Sequence, residues 1–366
     1  MSRTITVAVI VVVVVALVGL AVTVLKPTPE TVVVGVIIPA EEGPVSHSEE
    51  VRDAVQMAMD ELNAWGGIGN KRLRMVFSEV PEDLDAISEA FEEMEEKHRP
   101  LFYITISCGF LGAMAPLAET AQVPLIGLSS YPGATEGFQY TYRYNVPPEM
   151  EVASAMTMMA DLNVTRVGLL YTESPHGCSI HEAFSEAFVE AGGTVEDEPC
   201  GIDETDYSGA VANLTDNQAI LTVSTCVALA QMFEAIHESG YDGHVIASSC
   251  ASSSYMWGLE AADGVYVSAP LLYKSENILA RAFLEDFKLT YGIDVTHHGA
   301  VAYDIVNLVH GLLEGKEVTR NSLEQELSQG FIFTGTMGSL VIGLEEHDFD
   351  FSVYPARIVE GELVYL

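Results

Sequence analysis

Two short turns in this chain combine small polar side chains with glycine, residue types that offer hydrogen-bonding groups without a formal charge. Ser107-Cys108-Gly109 follows a β-rich run at 103–106, and Ser129-Ser130-Tyr131 follows a second one at 125–128. Between them, 111–122 carries Ala and Leu at helical spacing and is stopped by Val123-Pro124. In a parallel α/β sheet both turns fall at the carboxyl ends of strands, where such sheets bind ligands. Ser and Gly are also plain turn formers, so the two turns alone leave binding and structure equally open. No G-x-S-x-G elbow, P-loop, HExxH or GxGxxG pattern occurs, and no acid–base constellation has a defensible spacing. No enzymatic activity and no cofactor are therefore read from the chain. The five cysteines, Cys108, Cys178, Cys200, Cys226 and Cys250, show no CxxC spacing. Small buried residues or one disulfide account for them better than a soft-metal site does, and no metal is assigned.

Elements that would position these turns alternate along the whole chain. The β-branched run 31–38 reads as a strand buried on both faces. Ser46 with Glu49 suggests a capping box, and Val51, Ala54, Val55, Ala58, Leu62 and Trp65 form one helical face ended by Gly66-Gly67. A strand at 73–77 and an acidic helix at 83–98 follow. After an extended crossover at 140–148 the strand–helix alternation restarts and runs to about 267. Two helices, 278–291 and 300–313, then precede a β-rich end. Such alternation predicts doubly wound parallel sheets in two similar α/β halves, with a final segment shared between them around a hinge.

Composition bounds the setting. The chain has 366 residues, 49% of them hydrophobic, enough for two packed domains. Its 53 acidic residues against 16 basic ones give a net charge of −37, which repels nucleic acid and anionic surfaces and suits solvation at high ionic strength. The run 5–25 contains no charge and is long enough to span a bilayer as a helix. No clear small-residue cleavage site follows it, which favours an uncleaved signal anchor, with 26–30 as a stiff linker and the remainder outside the cell or in the periplasm.

The motifs, taken together, resemble the type I periplasmic binding proteins, in the branched-chain amino-acid (leucine/isoleucine/valine) receptor branch. Leu62-Asn63-Ala64-Trp65-Gly66-Gly67-Ile68 is similar to that family's Asn-Ala-x-Gly-Gly-Ile motif. Ala115-Pro116-Leu117-Ala118 with Val123-Pro124-Leu125-Ile126, Ala302-Tyr303-Asp304, and Gly361-Glu362-Leu363-Val364 match further family signatures in the same order. The resemblance implies two Rossmann-like lobes joined by three crossovers, preceded by the transmembrane segment. Lobe 1 would be 31–146 with 272–340, and lobe 2 would be 147–271 with 341–366. It also implies closure on a small polar ligand (an amino acid, amide or carboxylate) and delivery to ABC permease and ATPase subunits. A membrane-anchored sensing ectodomain that signals through a partner is the alternative.

By the same resemblance the ligand's carboxylate meets the turns Ser107, Cys108, Gly109, Phe110 and Ser129, Ser130, Tyr131. Donors at helix N-termini suit an anion. On the second lobe His176 stands where an aromatic residue is usual, and Thr225 and Cys226 follow a strand. His47 or Ser48 would reach the cleft rim, and the pair His297-His298 would lie at the surface or hinge. Where the family's amino-acid receptors place a carboxylate for the α-ammonium, this chain has Ser248, Ser249 and Cys250. A buried ammonium without a counter-charge is costly, so an α-amino acid ligand is in question unless Glu173 or Glu260 fills the role.

Overall fold

The computed structural model describes residues 30–40, 47–129, 132–344 and 346–366. Alternating side chains of β1 (Thr31–Pro39) show why a strand forms there. Val34, Val36 and Ile38 enter one core with the helices of one sheet face, while Ile37 enters another with Phe91, Tyr103 and Leu125. All four are fully buried, each worth about 1.5–3 kcal/mol of transfer from water. The run is continuous because helices cover both faces.

The first lobe continues through α1 (His47–Ala64), β2 (Arg72–Val80), α2 (Leu84–His98), β3 (Phe102–Thr105), α3 (Cys108–Ala121), β4 (Leu125–Leu128) and β5 (Thr141–Asn145). Its six-stranded sheet has the order β13-β5-β4-β3-β1-β2, where β13 is Asp348–Asp350, with parallel pairs throughout. The second lobe contains α4 (Pro148–Asp161), β6 (Arg166–Thr172), α5 (Pro175–Glu190), β7 (Thr194–Cys200), α6 (Ser208–Leu214), β8 (Ala219–Val223), α7 (Cys226–Glu238), β9 (His244–Ala247), the single turn α8 (Ser254–Trp257) and β10 (Tyr266–Pro270). Its seven-stranded sheet, β15-β14-β10-β9-β8-β6-β7, is parallel except for β14 (Val353–Val359) and β15 (Glu362–Tyr365), which add antiparallel at one edge. Adjacent residues again point to opposite cores: Leu169 packs with α4 and α5, Leu170 with α6 and α7.

The chain crosses between the sheets after β5, after β10, and between β13 (Asp348–Asp350) and β14. That third crossing lies some ten residues beyond the expected boundary near 340, because β12 (Gly338–Ile342) and the three-residue β13 stay with the first lobe. Arg143 holds β13 to β5: its Nε donates to Asp348 Oδ1 at 2.9 Å and its terminal nitrogen pairs with Oδ2. After α9 (Ile278–Tyr291) and α10 (His297–Leu313), α11 (Arg320–Leu327) leads into the hairpin of β11 (Phe331–Gly335) with β12. Buried Asp304 of α10 accepts from the N–H groups of Thr336 and Met337, at 2.8 and 3.1 Å, and from the Tyr144 hydroxyl at 3.2 Å. It thus ties the hairpin turn to the first crossover strand.

Candidate functional site

The carboxyl ends of β6, β8 and β9 are neighbours in the second sheet, so the turns that follow them are brought together. Helix α4 precedes β6 and runs back along the sheet, which sets its N-terminus at the same end. Pro147 and Pro148 start this helix, with Pro148 pre-set for the first turn. Three residues later Glu151 is buried, its side chain only 4% exposed. Its Oε2 accepts the N–H of Ser249 at 2.7 Å, and its Oε1 lies 3.7 Å from Nε2 of His176. A carboxylate from another element, α4, thus stands beside the β9 turn, which carries none of its own. Glu173 and Glu260, the two residues considered for that role in the sequence, are both exposed.

His176 occupies the first turn of α5, behind Pro175. Ser174 caps that helix through its hydroxyl, which accepts from Gly177 N at 3.1 Å. A side chain at Gly177 would strike the Thr172 carbonyl, so glycine is required for the helix to start this close to the strand. Both ring nitrogens of His176 are shielded from solvent and find no hydrogen-bond partner among the described residues, as is true of the Ser248 hydroxyl. These atoms stand beside the Glu151 carboxylate with hydrogen-bonding capacity that the described residues do not use. Ser249 opens a short 3-10 turn and contributes its backbone. Thr225 is exposed at the N-cap of α7, and Cys226 is the first residue of that helix. Trp257 turns away from this group: its indole N–H donates to the Ser252 carbonyl, and its ring meets Tyr273 edge-on.

In the first lobe, Ser107 is the N-cap of α3 in extended conformation, and its side chain makes no capping bond. The first N–H groups of a helix have no intrahelical carbonyl, so Cys108 and Gly109 present donors at the end of β3. Glu82 crowds the space above the Gly109 Cα. Phe110 corrects one expectation: its ring is wholly buried with Phe91, Leu111 and Met114, so it builds the core and does not face a ligand. The backbone of Ser129 is also committed, its N–H donating to Tyr144 O at 3.2 Å. Ser130, Tyr131 and the capping residue Ser46 lie outside the described residues.

His47 starts α1, and its ring stacks on His298 at 4.1 Å, with His297 at 4.1 Å from His298 on the other side. Below them Glu50 caps α10, accepting from Thr296 N at 2.7 Å, Thr296 Oγ1 at 2.8 Å and Gly299 N at 2.8 Å. The His297-His298 pair is thus not at the surface: His297 is buried, which with the neighbouring His47 pushes it down to about 4. Among the described residues no group of three His, Cys, Asp or Glu side chains could hold a metal ion.

The sequence profile of the periplasmic binding proteins matches residues 31–362, nearly all of the described chain. The chain belongs to the periplasmic binding protein family. No curated protein matches the sequence significantly. Solved structures of the family show its type I fold. A leucine binding protein of Thermotoga maritima is 22% identical, with a TM-score of 0.80 over 92% of this chain and 97% of that one. A branched-chain amino-acid transporter substrate binding protein of Streptococcus pneumoniae, solved with isoleucine, is 20% identical with a TM-score of 0.79 over 91% and 98%. A solute binding protein of an ABC transporter from Rhodopseudomonas palustris, solved with 3,4-dihydroxybenzoic acid, is 19% identical with a TM-score of 0.81 over 92% and 96%. This periplasmic binding protein shares the fold of these solute-binding neighbours. Among the described residues no helix is long and apolar enough to cross a membrane, and the apolar run 5–25 lies outside them.

Proposed function

We propose that this protein is the extracytoplasmic solute-binding component of an ABC importer, held at the cell membrane by the apolar run 5–25. Its two lobes close on a small polar ligand and hand it to permease and ATPase partners. The observation that carries this reading is the second-lobe wall. Buried Glu151 stands 3.7 Å from Nε2 of His176, and among the described residues neither ring nitrogen of His176 nor the Ser248 hydroxyl has a hydrogen-bond partner. On the first lobe, Ser107, Cys108 and Gly109 offer the donors of a helix N-terminus. One jaw suits an anionic head group and the other a group that donates hydrogen bonds or carries positive charge. A ligand with both ends, an α-amino acid or an amide of similar size, answers both, and Glu151 removes the objection that no acid stands near Ser249.

The test is a thermal-shift screen of the purified protein against amino acids, their des-amino acids, amides, hydroxybenzoates and sugars. A ligand at 100 times its Kd stabilises the bound form by about 2.7 kcal/mol, a readily measured rise in melting temperature. A rise with amino acids or amides that disappears with the des-amino acids supports the assignment. A rise only with hydroxybenzoates or sugars moves the ligand class away from amines, and no rise with any compound counts against solute binding.

A further inference from the structure

The end of lobe 1 remote from the cleft carries a feature that ligand binding does not use. Trp65, directly after α1, is 90% exposed, more than any other large apolar side chain of the described chain. It stands in a tight loop: Gly67 N donates to Leu62 O at 2.7 Å, and Ile68 and Lys71 exchange two backbone bonds. Gly66 and Gly67 hold positive φ, 110° and 75°, so the loop has one fixed course that presents the indole outward. The loop following α10 packs behind it, where Val318 fills the space over Gly69.

The N-terminal segment enters the lobe beside this loop. Arg72 N donates to Glu30 O at 3.0 Å, and Lys71 Nζ pairs with the Glu30 carboxylate at 2.7 Å. The five residues 26–30 separate this point from the apolar run, a reach of about 17 Å when fully extended. The same end is also where the chain's scarce cations collect. Lys71, Arg72, Arg74, Lys97, Arg99 and Lys316 surround the base of the sheet, and among the described residues Arg72, Arg74 and Arg99 make no ion pair. Acidic residues stand there too, Asp60 and Glu61 close to Trp65 and Glu92, Glu93, Glu95 and Glu96 on α2, but six of the chain's 16 basic residues share this end, which weakens the repulsion from a phospholipid headgroup layer that the net charge of −37 imposes elsewhere.

We propose that the base of lobe 1 rests on the phospholipid surface with the Trp65 indole in the headgroup layer, so that the short linker and Trp65 together fix the tilt of the protein on the bilayer. Indole prefers that layer because its ring is apolar and its N–H keeps a polar partner. The inference rests on the anchoring reading: a tether this short leaves the base nowhere to go but the bilayer surface.

The test uses the full chain reconstituted into phosphatidylcholine vesicles. Trp65 and Trp257 are its two tryptophans. Trp257→Phe leaves Trp65 as the reporter, and Trp65→Phe in otherwise native protein gives the complementary signal should the first variant fold poorly. Flotation after an alkaline wash reports anchoring by itself. In protein that floats, Trp65 emission should move to the blue, resist acrylamide and be quenched by lipids brominated near the headgroup, and Trp65→Phe should abolish that lipid quenching. Floating protein whose Trp65 emits as in water refutes the docking and spares the anchor. A blue-shifted Trp65 that brominated lipid does not quench is covered by protein, a second copy or a partner, and also refutes it. Protein that fails to float refutes the anchor and the docking together.

Discussion

Replacing Glu151 by Gln removes a charge and almost no volume, which isolates what the carboxylate does. In the free protein its main bond is the 2.7 Å contact from Ser249 N, and a Gln oxygen can accept it. The change from a charge-assisted to a neutral bond costs about 1 kcal/mol, and relief from holding a charge at 4% exposure offsets part of that. The melting temperature should therefore move little. For a ligand whose ammonium or amide donors meet Glu151, the same change removes the buried partner, a loss of about 2–5 kcal/mol. That is about 30-fold in Kd at the low end and above 1,000-fold at the high end. Isothermal titration of the wild type and Glu151→Gln with the best ligand and with its des-amino analogue reads both effects. The amine ligand should lose affinity and the analogue should not. Equal affinity of the two proteins for the amine ligand, or an equal loss for both ligands, would refute the role given to Glu151.

Glu82 crowds the first-lobe donor turn, so Glu82→Gln should tighten binding of a ligand with an anionic head by about two- to five-fold, measured by the same titration; unchanged or weaker binding would show that the head group sits elsewhere. Gly177→Ala drives a methyl into the Thr172 carbonyl and displaces the start of α5, which should cost about 1–3 kcal/mol in urea unfolding and weaken ligand binding through His176. Groups shifted by burial make opposite contributions to acid stability, His297 and His298 on one side and Asp304 and Asp350 on the other. His297 is pushed down to about 4 from 6.5 by burial, so its contribution is intact above 6.5 and is lost as the pH falls toward 4, about 2 kcal/mol between pH 7 and 5. Asp304 is raised to about 6 from 3.8 by burial, so the folded state holds its proton more firmly and gains about 1 kcal/mol over the same interval. His298, packed against His297 and also held well below the usual histidine range by burial, loses stability in the same window, so His297→Gln should lessen the fall in urea stability from pH 7 to pH 5 by about 2 kcal/mol relative to the wild type; a variant with the wild-type pH profile would contradict this.

Much of the architecture was legible in the sequence, for reasons that β1 and α4 illustrate in opposite ways. A run such as 31–38 can hardly be anything but a doubly covered strand, and Gly66-Gly67 needs the left-handed backbone that ends α1. The positions of Ser107 and His176 in turns at strand ends were legible as well. Glu151 was not, because the residues around it in space come from β6 and β9, far along the chain. One signal was present: Glu151 falls on the stripe formed by Val152, Ala155, Met158 and Met159, an acid on the buried face of a helix. Phe110 shows the converse. Its spacing with Leu111, Met114 and Ala118 marks a core face, and periodicity outweighs proximity to the turn. The third crossing was misplaced because the pairing of β13 with β5 depends on Arg143 and Asp348, two residues 205 positions apart that local pattern cannot connect.

We propose that two lobes close on a solute held between the Ser107 turn and the Glu151–His176 wall. Small-angle X-ray scattering of the protein, with and without a saturating amount of the ligand found by thermal shift, tests it most directly. The radius of gyration should fall when ligand is added to the wild type, and should stay at its ligand-free value when the same concentration is added to Glu151→Gln. A wild-type protein that binds the ligand with no change in its scattering would contradict closure of the lobes around it.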